Sequence, residues 1–251
     1  MSHLARKRFG QNFLVDDQIV NRIVSTISPK KSDNIVEIGP GKGALTFPLL
    51  EHLDHLSVIE IDRDLISLLK LKKQDKLTIY EADALKFDYG LISNNLRIVG
   101  NLPYNISSSL LFHLLSSKNK IIDMTFMLQK EVVDRIVAKH DSKTFGRLSV
   151  MMQTFFEVES MFTVPKESFD PQPKIESAIL YLKTRTKPLT QNTKLLEKIV
   201  KVSFSQRRKT LKNCLKSILS QEQTEIDLSQ RAEMLSIENF ITLMKDYEKQ
   251  N

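Results

Sequence analysis

The sequence predicts an α/β protein: a mainly parallel, doubly wound sheet followed by a small all-helical domain. Three observations carry this. Short β-branched runs alternate with amphipathic stretches as far as Lys183. Runs such as Asn34-Ile35-Val36-Glu37-Ile38 are nearly continuous in apolar character, as strands covered on both faces are. After Lys183 no further strand-like run appears.

In chain order, the pattern opens with a helix at 17–27. Strands are expected at 34–38, 56–60, 77–80, 96–99, 124–128, 158–162 and 178–183. Helices fall between them at 44–53, 64–72, 108–116, 130–138 and 147–155. The polar segment Thr184-Arg185-Thr186-Lys187-Pro188 marks the boundary, giving domains 1–186 and 187–251. Helical patterns at 193–204, 208–219 and 237–247 fill the second domain. Met124, Met127, Met151, Met152 and Met161 are read as core filling.

A chain of 251 residues with 41% hydrophobic positions can bury one substantial core and one smaller one, which excludes overall disorder. Lys plus Arg number 37 against 30 Asp plus Glu, a net charge of +7 that favours a polyanionic partner, nucleic acid first. The single cysteine, Cys214, excludes an internal disulfide and a Cys-rich zinc site, and suits a reducing compartment. His52 and His55 have no third soft ligand nearby, so no metal is expected. The basic N-terminus is not followed by an apolar stretch, and no window approaches the roughly 18 to 20 apolar residues of a membrane span. A soluble, cytoplasmic, monomeric protein is expected.

The first strand runs into Glu37-Ile38-Gly39-Pro40-Gly41-Lys42-Gly43-Ala44, a glycine turn opening a helix, where a ligand can approach the backbone. Its G-x-G-x-x-A spacing also fits a dinucleotide fingerprint with Glu60 as ribose acid, so the glycines alone leave the cofactor open. A phosphate-gripping P-loop lacks its spacing here. Glu37, Glu60 and Asp83 stand at successive strand ends around one crevice, a field hostile to diphosphate and favourable to a cationic sulfonium and an amino group. S-adenosylmethionine is therefore the preferred cofactor, although each acid singly could be a helix or turn cap.

The fourth strand ends in Gly100-Asn101-Leu102-Pro103-Tyr104-Asn105-Ile106. An adenine amino group is a poor nucleophile because its lone pair is delocalised into the ring. Two acceptors, the Asn101 side-chain oxygen and the Leu102 carbonyl, can hold such a nitrogen in a more tetrahedral form. Pro103 stiffens the turn, and Tyr104 offers a ring on which an extracted base can stack. A rigid strand-to-helix turn with a buried tyrosine is the plainer alternative.

Through these motifs, together with Gly10-Gln11-Asn12-Phe13-Leu14 and Phe169-Asp170-Pro171-Gln172-Pro173-Lys174, nearly the whole chain resembles the small-subunit (16S-type) ribosomal RNA adenine N6,N6-dimethyltransferase family, KsgA-like. The resemblance implies a Rossmann-like class I methyltransferase fold with a mostly parallel seven-stranded sheet. It implies transfer of two methyl groups from S-adenosylmethionine to N6 of each of two adjacent adenosines near the 3′ end of that RNA, on assembling small subunits. It places Gln11, Asn12 and Leu14 at the cofactor lip, Gly39 and Gly41 at its amino-acid end, Glu60 at the ribose, and Asp83 with Ala84 at the adenine, with Glu37 also among the cofactor-binding residues. Asn101 takes the catalytic role and is also among the cofactor-binding residues. Phe169 is implied to face Tyr104 across the target base, replacing stacking worth about 1 to 3 kcal/mol. Without the family, Phe169 reads as a loop anchor packed on the core.

Basic residues cluster at Arg6, Lys7 and Arg8 and again at Lys201, Arg207, Arg208, Lys209, Lys212 and Lys216. No acid lies between 201 and 216, and the four-residue spacing of Arg208, Lys212 and Lys216 would place them on one side of a helix. Phosphate contact is the expected role, a solvated helix face the alternative. Three rival functions remain. A large-subunit (23S) rRNA adenine methyltransferase of the antibiotic-resistance type shares the chemistry, but Leu102 and the long basic C-terminal region favour the small subunit. A non-catalytic assembly or transcription factor on the same fold is opposed by Asn101 and the acidic strand ends. A nicotinamide oxidoreductase lacks a hydride-transfer acid.

Overall fold

The computed structural model describes residues 11–72 and 74–250. In chain order the elements are β1 (Phe13–Leu14), α1 (Asp17–Ile27), β2 (Asn34–Ile38), α2 (Thr46–Leu50), β3 (Leu56–Glu60), α3 (Arg63–Leu71), β4 (Leu77–Glu81), β5 (Leu96–Asn101), α4 (Ser107–Ser116), β6 (Ile121–Gln129), α5 (Lys130–Val137), α6 (Arg147–Phe155), β7 (Phe156–Val164), β8 (Phe169–Asp170), β9 (Ser177–Thr184), α7 (Thr193–Ser203), α8 (Leu211–Leu215) and α9 (Ile237–Glu248).

Seven strands form one sheet in the order β4-β3-β2-β5-β6-β9-β7. The pairs β3–β4, β2–β3, β2–β5 and β5–β6 are parallel, and β9 is antiparallel to β6. The expected mostly parallel α/β sheet is therefore present. Its central strands are buried on both faces, with Ile35, Val36, Val58, Ile98 and Val99 all inaccessible, which explains their largely apolar runs. From β2 the chain winds outward through β3 to β4, and from β5 outward through β6. The switch of direction lies between β2 and β5, the place where such sheets open a crevice beyond the strands' carboxyl ends. A Cβ at Gly100 would come within 2.5 Å of the Ile38 carbonyl oxygen, so glycine is what lets β5 close onto β2 just before Asn101.

A second sheet joins β1 to β8 antiparallel, with Phe13 opposite Asp170 and Leu14 opposite Phe169. The Val15 amide donates to the Ser168 carbonyl at 2.9 Å, and the Ser168 hydroxyl to Asp16, the residue that also caps α1. The segment Gln11–Leu14 is thereby fastened to the loop carrying Phe169.

The chain divides into two compact units, one running through Val133 and adding Glu159–Thr184, the other taking Asp134–Val158 and the chain from Arg185 onward. The boundary expected at 186 follows the end of the strand pattern. The packing also gives 134–158 to the second unit, because α6 packs against α7 and α9, and the amides of Arg185 and Leu189 bond the carbonyls of Phe155 and Thr154. The helix expected at 208–219 shrinks to the five residues of α8, with turns on either side. Met124, Met127, Met151 and Met152 are buried as expected, but Met161 is 37% exposed, on the edge strand β7. Among the described residues no helix is long and apolar enough to cross a membrane, and no cluster of His, Cys, Asp and Glu could hold a metal.

Candidate active site

A cavity of about 280 Å³ opens at the β2–β5 switch point. Its lining brings together Gln11, Asn12, Leu14, Glu37, Gly39, Gly41, Glu60, Asp83, Ala84, Asn101, Leu102 and Tyr104. Gly39 and Gly41 adopt φ of 67° and 57°, left-handed values that strain any side chain. A Cβ at Gly41 would also press on the Phe13 ring at 3.2 Å. Phe13, Lys42 and Ile61 line the cavity too, beyond the site residues expected from the sequence. For Phe13 the signal is present, since it stands inside the Gln11-Asn12-Phe13-Leu14 motif.

The three strand-end acids differ in environment. Glu37 is buried and accepts a 2.6 Å hydrogen bond from the Thr46 hydroxyl. Burial pushes its carboxyl up to about 7, with the Thr46 hydrogen bond opposing and the Glu60 charge adding. Glu60 is also raised, first by burial, against hydrogen bonds from backbone amides that favour its charge. Its Oε1 accepts from the amides of Asp62 and Ile61 at 2.9 and 2.8 Å, which fixes the carboxylate's direction. Asp83 accepts from the Leu85 amide at 2.9 Å, and the Ala84 carbonyl accepts from the Tyr89 hydroxyl. Glu60 and Asp83 therefore each bond backbone amides of a local turn, Glu37 is held by a side-chain hydroxyl, and all three line the same cavity.

The Glu37 shift has a consequence for stability. A folded value above the ordinary 4.5 means the native state holds this proton more tightly than the unfolded chain. Its contribution therefore falls as pH rises from about 4.5 through about 7 and is level above that, by on the order of 3 kcal/mol. Glu37→Gln keeps an acceptor for Thr46 and removes the titration. Thermal unfolding without cofactor should show the variant gaining on the wild type between pH 5 and 8; a gap constant with pH would place the titration elsewhere.

Asn101 ends β5 half-buried, and its Nδ2 donates to the Asn12 carbonyl at 2.9 Å. A carbonyl can face only the donor prong of an amide, so this bond fixes which way the side chain points. Oδ1 is left as an acceptor without a partner among the described residues. Leu102 is buried, its amide tied to the Met127 carbonyl at 3.2 Å. Tyr104 is half-buried, its hydroxyl within 2.7 Å of Ser177 Oγ, which anchors the tip of its ring. Phe169 is not brought to the cavity. It is 2% exposed, pairs with Leu14 and belongs to the core packed around α1 and α2, so in this structure it is the core-packed loop anchor.

The basic residues lie in the second unit. Arg207, Arg208, Lys209, Lys212 and Lys216 are all exposed. The common helix face expected of them is not formed: Arg207, Arg208 and Lys209 occupy the turn before α8, and only Lys212 is within the helix. The Arg207 guanidinium donates to the Lys143 carbonyl, which adds exposed Lys143 to the cluster. Nothing in the spacing of Lys143 signals this. Arg6, Lys7 and Arg8 lie outside the described residues.

The donor set of the cavity fits S-adenosylmethionine. Carboxylates at three strand ends suit a ligand with a sulfonium, an amino group and ribose hydroxyls, and the glycine turn leaves room where a Cβ at Gly41 would meet the Phe13 ring. The family model described as ribosomal RNA adenine dimethylase matches residues 2–249. A ribosomal RNA small subunit methyltransferase A from Methylobacillus flagellatus is 52% identical, over 97% of this chain and 98% of that protein. A dimethyladenosine transferase from Plasmodium falciparum superposes with a TM-score of 0.82 at 26% identity, covering 95% of this chain and 98% of the other. The 23S rRNA methyltransferase ErmE superposes with a TM-score of 0.74 at 25% identity, covering 94% and 100%. The fold is that of the class I methyltransferases, and the cofactor is S-adenosylmethionine. The chain belongs to the ribosomal RNA adenine dimethylase family.

Proposed function

We propose that the chain methylates N6 of two adjacent adenosines near the 3′ end of small-subunit (16S) rRNA, giving N6,N6-dimethyladenosines during ribosome assembly, and that it acts in the cytoplasm as a monomer. The observation that carries this reading is the fixed Asn101 amide, an oriented neutral acceptor that lines an acid-lined cavity together with Leu102. Bound S-adenosylmethionine supplies an electrophilic methyl group on a cationic sulfur. Asn101 Oδ1 and the Leu102 carbonyl each accept one N–H of the adenine amine, drawing its lone pair out of ring conjugation. Because both acceptors are neutral, the amine keeps its protons until the new N–C bond forms and the sulfonium S–CH3 bond breaks to leave a neutral thioether, and one N–H proton is then lost to solvent. Tyr104, its hydroxyl held by Ser177, offers its face to the extracted base.

The large-subunit reading has a specific observation behind it, the likeness to ErmE. The 52% identical relative carries a small-subunit name and weighs more. Labelled cofactor offered with unmethylated small or large subunits decides between them. The expected result is label on small subunits, mapping to two neighbouring adenosines. Label confined to large subunits would overturn the proposal.

A further inference from the structure

The charged residues lining the cavity are unequal in sign. Among the described residues, three carboxylates, Glu37, Glu60 and Asp83, face one cation, Lys42. Lys42 stands between Gly41 and Gly43 in the turn after β2 and is exposed. Its ammonium lies over the Phe13 ring, 4.5 Å from the centroid, and Phe13 itself is wedged against Gly41. The ring thus holds the lysine beside the turn. Among the described residues Lys42 makes no ion pair with any carboxylate. Its conformation is ordinary, since the left-handed values belong to the glycines on either side.

S-adenosylmethionine carries two cationic groups, the sulfonium and the α-ammonium, and one anionic group, the α-carboxylate. The acids answer the cations. We propose that Lys42 is the specificity residue for the α-carboxylate, donating a charge-assisted hydrogen bond to it at the amino-acid end of the cavity. This rests on the S-adenosylmethionine reading above. An ammonium on a flexible stem needs only a short swing from an aromatic face to an anion, and a cation–π contact worth about 0.5 to 1 kcal/mol at an exposed site is a weak competitor.

Calorimetric titration of the full chain with three ligands tests this: S-adenosylmethionine, S-adenosylhomocysteine and 5′-methylthioadenosine, which lacks the amino-acid portion. Lys42→Gln should lose roughly tenfold in affinity for the first two and keep its affinity for the third. Lys42→Arg should restore most of the loss. Unchanged affinity for S-adenosylmethionine in Lys42→Gln, with weakened binding to rRNA, would assign the lysine to a phosphate and overturn the inference. An equal loss for all three ligands would mean a disturbed glycine turn and overturn it as well. Failure of the wild type to bind S-adenosylmethionine would instead strike the cofactor reading itself.

Discussion

Asn101→Ala should lower the rate of methyl transfer by on the order of 100-fold or more while changing cofactor affinity only a few-fold. The substitution removes an acceptor aimed at the reacting amine, an interaction that strengthens only as that nitrogen becomes tetrahedral. It also removes the donor that holds the Asn12 carbonyl at 2.9 Å, so some loosening of the cofactor lip is expected alongside. Asn101→Asp separates the two effects. A carboxylate still accepts from the amine, but it cannot donate to Asn12 and faces that carbonyl with a like dipole. If the main role is acceptance at the amine, Asp should retain more rate than Ala in single-turnover assays at saturating cofactor. If it is holding the lip, both variants should fall together and both should lose cofactor in calorimetry. A wild-type rate in Asn101→Ala would sink the mechanism.

How much of this is legible in the sequence follows from what each feature depends on. The strands at 34–38 and 56–60 agree with β2 and β3 residue for residue, because strands covered on both faces are mostly apolar, here with Glu37, Ser57 and Glu60 as the buried exceptions. Of the twelve site residues on the cavity, nine converge because the glycine turn, the acids and the Asn-Leu-Pro-Tyr segment all sit at strand carboxyl ends, which topology gathers at the switch point, while Gln11, Asn12 and Leu14 come from the segment at β1. What escapes depends on tertiary pairing. β1 and β8 are two residues each, too short for any period, and their pairing joins distant parts of the chain. The motif around Phe169 implies a base-stacking role, whereas the ring is packed in the core beside Leu14. The shortening of the 208–219 helix has the same kind of cause. Lys212 and Leu211 donate their amides to the carbonyls of Leu228 and Gln230, so the start of α8 is tied to a later turn instead of to a preceding helical turn.

That rearrangement sharpens what should happen when the basic cluster is neutralised. Changing Arg207, Arg208 and Lys212 together to Gln should weaken binding to the small subunit by on the order of 100-fold near physiological salt and flatten its salt dependence. Each phosphate no longer neutralised should reduce the slope of log affinity against log salt by about 0.7 to 0.9, so three phosphates account for roughly 2 to 3 in all. Cofactor affinity should not move, since none of the three lines the cavity. On a continuous helix face these charges would track one strand in a fixed row. Here Arg207 and Arg208 occupy the turn before a short helix, only Lys212 lies within that helix, and Arg207 donates to the Lys143 carbonyl. Each single variant should reduce the slope by less than the triple mutant does. Subunit binding at several salt concentrations, for the wild type, the singles and the triple, reads this directly. Slopes parallel to the wild type would mean that the exposed charges are only solvated, and that the RNA is gripped by other residues.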